Sequence, residues 1–222
     1  MQIIEKLVQQ AWAILLFEEN SSTFILREAG EVSIKQIDFP SLLKSIQKTD
    51  YQSDWYLSNL KLLKICRQRE KTLTISSLPP SIYELKIDDY QLRLPLPGVI
   101  IVHCDRNAWT ESNRQLWLYA YKGRDLSLSS PLYNYPLPNI NSTGQVCWGK
   151  VLPETNSPEA IWNSYINSKF NQDYRDKKSK AFPHNIIKQL QTVSQSLNTA
   201  YPEQDLIASN QTLKDLTQLI DY

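Results

Sequence analysis

Histidine and cysteine are scarce in this 222-residue chain, which has two histidines and three cysteines, Cys66, Cys104 and Cys147. No Cys-x-x-Cys pair occurs, so His103 and His184 leave few ligands for a structural zinc site, and nothing in the sequence calls for a metal or a cofactor. An odd cysteine count without regular spacing argues against a disulfide framework, and free thiols point to a reducing cytoplasm. A net charge of +1 argues against a dedicated nucleic-acid binder, which needs a basic footprint. The short basic runs Arg67, Arg69, Lys71 and Lys177, Lys178, Lys180 read as solvated loops. The longest apolar run, AWAILLF at 11–17, is far too short to span a bilayer, so no membrane role is expected. The first residues lack a basic start, an apolar run and a small-residue cleavage site, so no signal peptide is expected. No internal repeat or low-complexity tract is visible. What remains is ordinary, with 41% hydrophobic and 21% charged residues, enough to bury one large core or a core with an added module.

The first third reads as a small β-rich module. AWAILLF, STFILRE and EVSIKQI are short runs rich in apolar and β-branched residues, parted by polar turns and Gly30. Residues 1–10 carry a helical pattern, and a short helix is expected at about 39–48, with Asp38 as cap and Pro40 in its first turn. LKLLKIC and KTLTI read as strands around the basic turn RQREK, and Leu78-Pro79-Pro80 breaks the pattern. A boundary is therefore expected near residue 80, dividing the chain into 1–80 and 81–222.

The second part has strands at PGVIIVHC (97–104) and QLWLYAYKG (115–123), joined by a polar hairpin-type loop. A long irregular segment follows, in which Pro131, Pro136, Pro138, Pro153 and Pro158 exclude a long helix or a central strand. Helices close the chain. Ser157 and Pro158 start one whose apolar face is Ile161, Trp162, Tyr165, Ile166 and Phe170, another is expected at about 184–200, and a third at about 210–220. Strands followed by helices make an α+β pattern.

Inside the irregular segment lies PLPNINSTGQVCWG, residues 136–149. Pro136 and Pro138 fix φ and extend the residues before them, Asn139 and Asn141 favour turns, and Gly144 can take a positive φ. Such a segment has little freedom and can hold the Cys147 thiol at a fixed point on the surface. The approach to Cys147 is polar and turn-rich, so it is expected to be at least partly exposed, whereas Cys66 and Cys104 end apolar strands and read as buried. The plainer alternative for Cys147 is a small packed hydrophobe.

PNINSTGQVC resembles the active-site stretch of ubiquitin-conjugating enzymes, in which His-Pro-Asn-Ile is followed by a turn, a glycine and Ile-Cys. Pro138, Asn139, Ile140, Gly144 and the β-branched Val146 match in order, and Asn139 and Cys147 stand eight positions apart as in that motif. The wider run from LPLPGVIIVHC through Gly149 to the helix IWNSYINSKF is similar to PRTRC-system protein B, a bacterial family with a conjugating-enzyme-like domain found in mobile-element gene clusters. The likeness spans roughly residues 90–175. It implies an antiparallel sheet with flanking helices, here preceded by the β-rich module. The motif's histidine is Leu137 in this chain, and the Phe-Thr-His triplet of the bacterial pattern is Phe170, Asn171, Gln172.

The chemistry implied by the resemblance is transthiolation, in which a ubiquitin-like protein passes from an activating-enzyme-like partner to Cys147 and then to an amine. An ordinary cysteine of pKa about 8.5 is a few per cent thiolate at pH 7, and thioester exchange is near balance, so no strong base is required. Asn139 would stabilise the oxyanion or brace the loop. Trp148, beside the thiol, would meet a partner. The alternative is a catalytically inactive adaptor of the same fold that binds a ubiquitin-like protein or an activating-enzyme relative. A Cys–His hydrolase built on Cys147 and His184 has no supporting signature.

Overall fold

The structure is a computed structural model that describes residues 12–17, 22–28, 31–37, 50–55, 57, 62–68, 71–106, 115–123, 125–147, 157–170, 173–196 and 198–221. The helices expected at 1–10 and 39–48, and Trp148, Gly149, Asn171 and Gln172, lie outside these residues. The chain divides into two compact units, Met1–Thr49 and Asp50–Tyr222.

The first unit contains an antiparallel meander of β1 (Trp12–Phe17), β2 (Ser22–Glu28) and β3 (Glu31–Ile37). These are the three runs expected from β-branched content. Glu28 faces Glu31 across the dipeptide Ala29-Gly30, a connection length that fits a tight hairpin.

The second unit is built on strands β4 (Tyr51–Gln52), β5 (Leu62–Gln68), β6 (Lys71–Leu78), β7 (Ser81–Ile87), β8 (Tyr90–Leu96), β9 (Gly98–Arg106), β10 (Gln115–Tyr121), β11 (Pro131–Asn134) and β12 (Ala208–Thr212). Its helices are α1 (Pro158–Ile166) and α2 (Ile186–Gln195). Seven strands form one antiparallel sheet in the order β12-β11-β10-β9-β6-β5-β4, and β7 and β8 form a separate hairpin. Strands β4 to β6 thus share a sheet with β9 and β10, and residue 80 falls within this unit rather than at a break in the sheet.

Both faces of the central strands are covered. Val99, Ile101, Leu116, Leu118 and Ala120 pack on one side against the β7–β8 hairpin and both helices. Ile100, Val102, Cys104, Trp117, Tyr119 and Tyr121 pack on the other against Leu213, Leu216 and Ile220. Two-sided burial accounts for the continuous apolar runs GVIIV and LWLYAY, since every residue of these two runs is buried.

Several expectations are corrected. The β7–β8 hairpin was not anticipated. It turns at Asp88-Asp89, where Asp88 takes a φ of 53°, and it buries Leu85, Ile87, Leu92, Leu94 and Leu96. Asp is one of the few residues that adopts the left-handed region readily. The proline-rich segment does join the sheet. β11 lies between β10 and β12, with Pro131 as its first residue, where a missing N–H is tolerated. The helix expected at 210–220 is instead β12 followed by a 3-10 helix, Lys214–Asp221. Asp215 accepts the Thr212 N–H at 2.8 Å and its hydroxyl at 2.6 Å, which ends the strand and starts that turn. Of the apolar residues expected to face inward there, Leu213, Leu216 and Ile220 are buried and Leu219 is partly buried. The basic runs are not simple solvated loops, because Arg67 and Lys71 lie on β5 and β6 and Lys178 is only 2% exposed.

Helix α1 begins as its sequence predicts. Ser157 accepts the Ala160 N–H at 3.1 Å, and Pro158 occupies the first turn. The helix ends at Ile166, so Phe170 acts from beyond it, bridging to Ile87. Helix α2 is capped by Asn185 and ends at Gln195, short of the expected limit near 200. Among the described residues no helix is long and apolar enough to cross a membrane.

Candidate functional site

Residues 135–147 form a loop clamped between β10 and the segment around α1. Tyr135, fully buried, anchors its start. Its hydroxyl donates to the Pro97 carbonyl at 3.2 Å, and its ring meets Trp162 edge-on at 5.4 Å. Trp162 also packs edge-on against Tyr83 at 5.5 Å, and Tyr165 against Phe170 at 5.4 Å. Such pairs contribute about 0.5–1.5 kcal/mol each beyond area burial, so α1 presents a rigid aromatic wall to the loop. Burial pushes the Tyr135 and Tyr165 hydroxyls well above their usual range, so both stay protonated and act as donors.

The position held by histidine in the conjugating-enzyme motif is Leu137, which is completely buried in the core. Next to it, the Tyr165 hydroxyl donates to the Pro138 carbonyl at 2.7 Å. Asn139 then takes a φ of 59° and is 6% exposed. Its side-chain amide donates to the Lys169 carbonyl at 3.1 Å, and its backbone N–H to the Asp173 carbonyl at 3.2 Å. Its own carbonyl accepts the Cys147 N–H at 2.8 Å. The two residues singled out in the sequence therefore meet through the backbone, and the Asn139 side chain ties the loop to the chain leaving α1.

Between them the loop is a small hairpin. Ile140 bridges to Val146, and Asn141 donates its N–H to the Gln145 carbonyl at 2.8 Å. The Asn141 side-chain oxygen gathers the Thr143 N–H at 2.9 Å, the Thr143 hydroxyl at 2.7 Å and the Gln145 N–H at 3.0 Å. Gly144 takes a φ of 85°, and a Cβ there would stand 2.7 Å from the Tyr119 ring. Only glycine satisfies both conditions. The Tyr119 hydroxyl donates to the Thr143 carbonyl at 2.7 Å, while the Leu118 N–H donates to the Gly144 carbonyl at 2.9 Å and the Val146 N–H to the Leu116 carbonyl at 2.8 Å. The hairpin is thus zipped onto the stretch of β10 that β11 leaves unpaired, just before Cys147.

Cys147 is exposed, whereas Cys66 and Cys104 are buried, as the sequence reading expects. Burial pushes the Cys66 thiol up, with Lys64 opposing, so it is a poor nucleophile. His184 is exposed, and His103 is buried on β9 with its Nε2 3.3 Å from Asp105. Tyr119 and Tyr165, which hold the loop, were not recognised from the sequence as site residues. Their signal was periodicity, which marks them as inward-facing without saying what their hydroxyls reach.

No curated protein and no solved structure matches the chain significantly. The family model described as prokaryotic E2 family D matches residues 38–209, well over half of the chain and including the whole loop and both helices. With an exposed cysteine at the end of a braced Pro-Asn-Ile loop, and with that match, the chain belongs to prokaryotic E2 family D.

Proposed function

We propose that Cys147 carries a ubiquitin-like protein as a thioester and passes it to an amine. E2-like families act with ubiquitin-like proteins and activating enzymes, and this supplies the class of partner. In the first step the Cys147 thiolate attacks the carbonyl carbon of the thioester on the activating enzyme, a new C–S bond forms, and the enzyme's thiolate leaves. In the second an acceptor amine attacks the Cys147 thioester, a C–N bond forms, the Cys147 thiolate departs, and the amine proton passes to water. Neither step requires an external oxidant or reductant. The partners would supply much of the rate by holding the reacting groups together.

The observation that carries this reading is the exposure of Cys147 alone among the three cysteines, at the end of a loop fixed to β10 on one side and to the α1 segment on the other. For Asn139 the contact to the Lys169 carbonyl favours a bracing role. The finer assignment is to a PRTRC-system protein B in a bacterial, mobile-element setting, in the cytoplasm. The competing reading is an adaptor that binds the same partners without carrying the modifier, and it draws on Leu137, a buried apolar group where the motif has an imidazole. The test is incubation of the protein with a candidate activating enzyme, ATP and ubiquitin-like protein. A thiol-cleavable adduct on Cys147 supports the carrier, and binding without an adduct supports the adaptor.

A further inference from the structure

Lys178 is the residue that conjugation chemistry leaves unexplained. It is 2% exposed, and among the described residues no hydrogen bond or ion pair holds its amine. Burial alone lowers its pKa to about 7. A lysine this far withdrawn from solvent, with no partner for its amine, is unfavourable in a resting protein. The buried carboxylate of this region is engaged elsewhere. Asp205 accepts the Ser179 hydroxyl at 2.9 Å, the Ala181 N–H at 2.8 Å and the Tyr201 hydroxyl at 3.0 Å. These bonds fix residues 179–181, and with them Lys178, without neutralising it.

Lys178 lines a cleft of about 690 Å³ beside the Cys147 loop, whose residues Asn141 and Ser142 form part of one wall. Around it stand the cationic Lys177 and Arg175, the imidazole of His184, the phenol of Tyr174 and a single carboxylate, Asp176. Arg175 pairs with Asp88 at 3.0 Å. The rim is also strained, because Tyr174, Lys177 and Asn210 have φ values of 55°, 58° and 60°. Non-glycine residues held in the left-handed region cluster at binding sites more than elsewhere.

We propose that this cleft binds the oxyanion group of a small ligand, a carboxylate or a tetrahedral phosphate-type group, with Lys178 as its counter-charge. The inference goes beyond thioester chemistry and does not depend on Cys147. An anion beside Lys178 favours its protonated form, so binding takes up a proton. With a pKa of about 7, the protonated fraction falls from about nine-tenths at pH 6 to about one-tenth at pH 8, so affinity should fall about tenfold across that interval.

The test is isothermal titration of the full chain with sodium sulfate and with sodium acetate, neither of which titrates between pH 6 and 8, each against sodium chloride of equal ionic strength. The expected result is binding above the chloride control, about tenfold tighter at pH 6, with proton uptake at pH 8 seen as a dependence on buffer ionisation heat. Preference for sulfate assigns a phosphate-type ligand, and preference for acetate a carboxylate. Lys178→Met should abolish binding while keeping or raising the melting temperature, and Cys147→Ser should bind as the wild type does. His184→Asn should keep the pH dependence. A direct readout needs no variant at Lys178: the NMR titration midpoint of its side chain should rise when the anion is added. Equal binding by Lys178→Met, an unmoved midpoint, no heat beyond chloride, or loss of the pH dependence in His184→Asn would each overturn the proposal.

Discussion

Replacing Asn139 separates the two roles an asparagine can have in this loop. Its amide bond to the Lys169 carbonyl contributes about 0.5–1.5 kcal/mol, the usual net value of such a bond. Its φ of 59° adds a second term. Glycine adopts that conformation freely, but alanine pays about 1–2 kcal/mol. Of these two contributions Asn139→Gly should lose the hydrogen bond, about 1 kcal/mol, and Asn139→Ala both, about 2–3 kcal/mol. For a protein of this size that corresponds to about 2–4 °C and about 4–12 °C in melting temperature. The order is the diagnostic feature, because at ordinary backbone positions alanine is more stable than glycine by about 0.4–1 kcal/mol. Thermal and urea unfolding of both variants would be run beside single-turnover loading of Cys147 and discharge to an amine. A bracing residue makes loading and discharge fall together, with alanine worse than glycine. An alanine variant as stable as the glycine variant would refute the structural account. Unchanged stability with discharge alone slowed about 100- to 1,000-fold would assign the amide to the oxyanion instead.

Other expectations follow from neighbouring contacts. Tyr165→Phe leaves the Pro138 carbonyl without its donor at 2.7 Å, which should destabilise the protein by about 1–3 kcal/mol and slow Cys147 loading, measured by unfolding and by the same adduct assay. Gly144→Ala forces Tyr119 aside and strains a φ of 85°, so it should lower the melting temperature and weaken the loop's bond to β10, visible as faster amide exchange at Leu118 and Val146. In the native protein a thiol reagent should modify Cys147 first, with Cys66 and Cys104 reacting only on opening, and preferential adducts on either of those would count against the site. Lys178 has a folded pKa of about 7, below its unfolded value, so between those values the unfolded state binds the extra proton and stability rises with pH. The difference between wild type and Lys178→Met should therefore climb from pH 7 to 9.5 at up to about 1.4 kcal/mol per pH unit, and a flat difference would contradict the burial of the amine.

The parts legible in the sequence were those governed by local rules. Ser157-Pro158 marks a helix start because the cap and the missing N–H act within one turn. The turn-rich approach to Cys147 predicts exposure because Asn141 satisfies three of the loop's own donors. What was missed depends on partners distant in sequence. Residues 84–96 are the exception, since Leu85, Ile87, Leu92, Leu94 and Leu96 alternate with the exposed Glu84, Lys86, Gln91 and Arg93, a local strand signal that the reading of the sequence passed over. Residues 208–212 are polar and become a strand only because the edge of β11 is available. Lys178 reads as solvated within its basic run, and only the Asp205 clamp on Ser179 and Ala181 turns the segment inward. The Asn139 contact to Lys169 spans 30 residues, beyond any local pattern.

The most direct test of the carrier role is mass spectrometry of the protein after reaction with a verified activating enzyme, ATP and ubiquitin-like protein. The account predicts one added modifier, mapped to Cys147, removed by excess thiol, and replaced in Cys147→Ser by a thiol-resistant ester or by no adduct. A wild-type protein that binds both partners yet gains no thiol-labile mass, or gains it on Cys66 or Cys104, would contradict it.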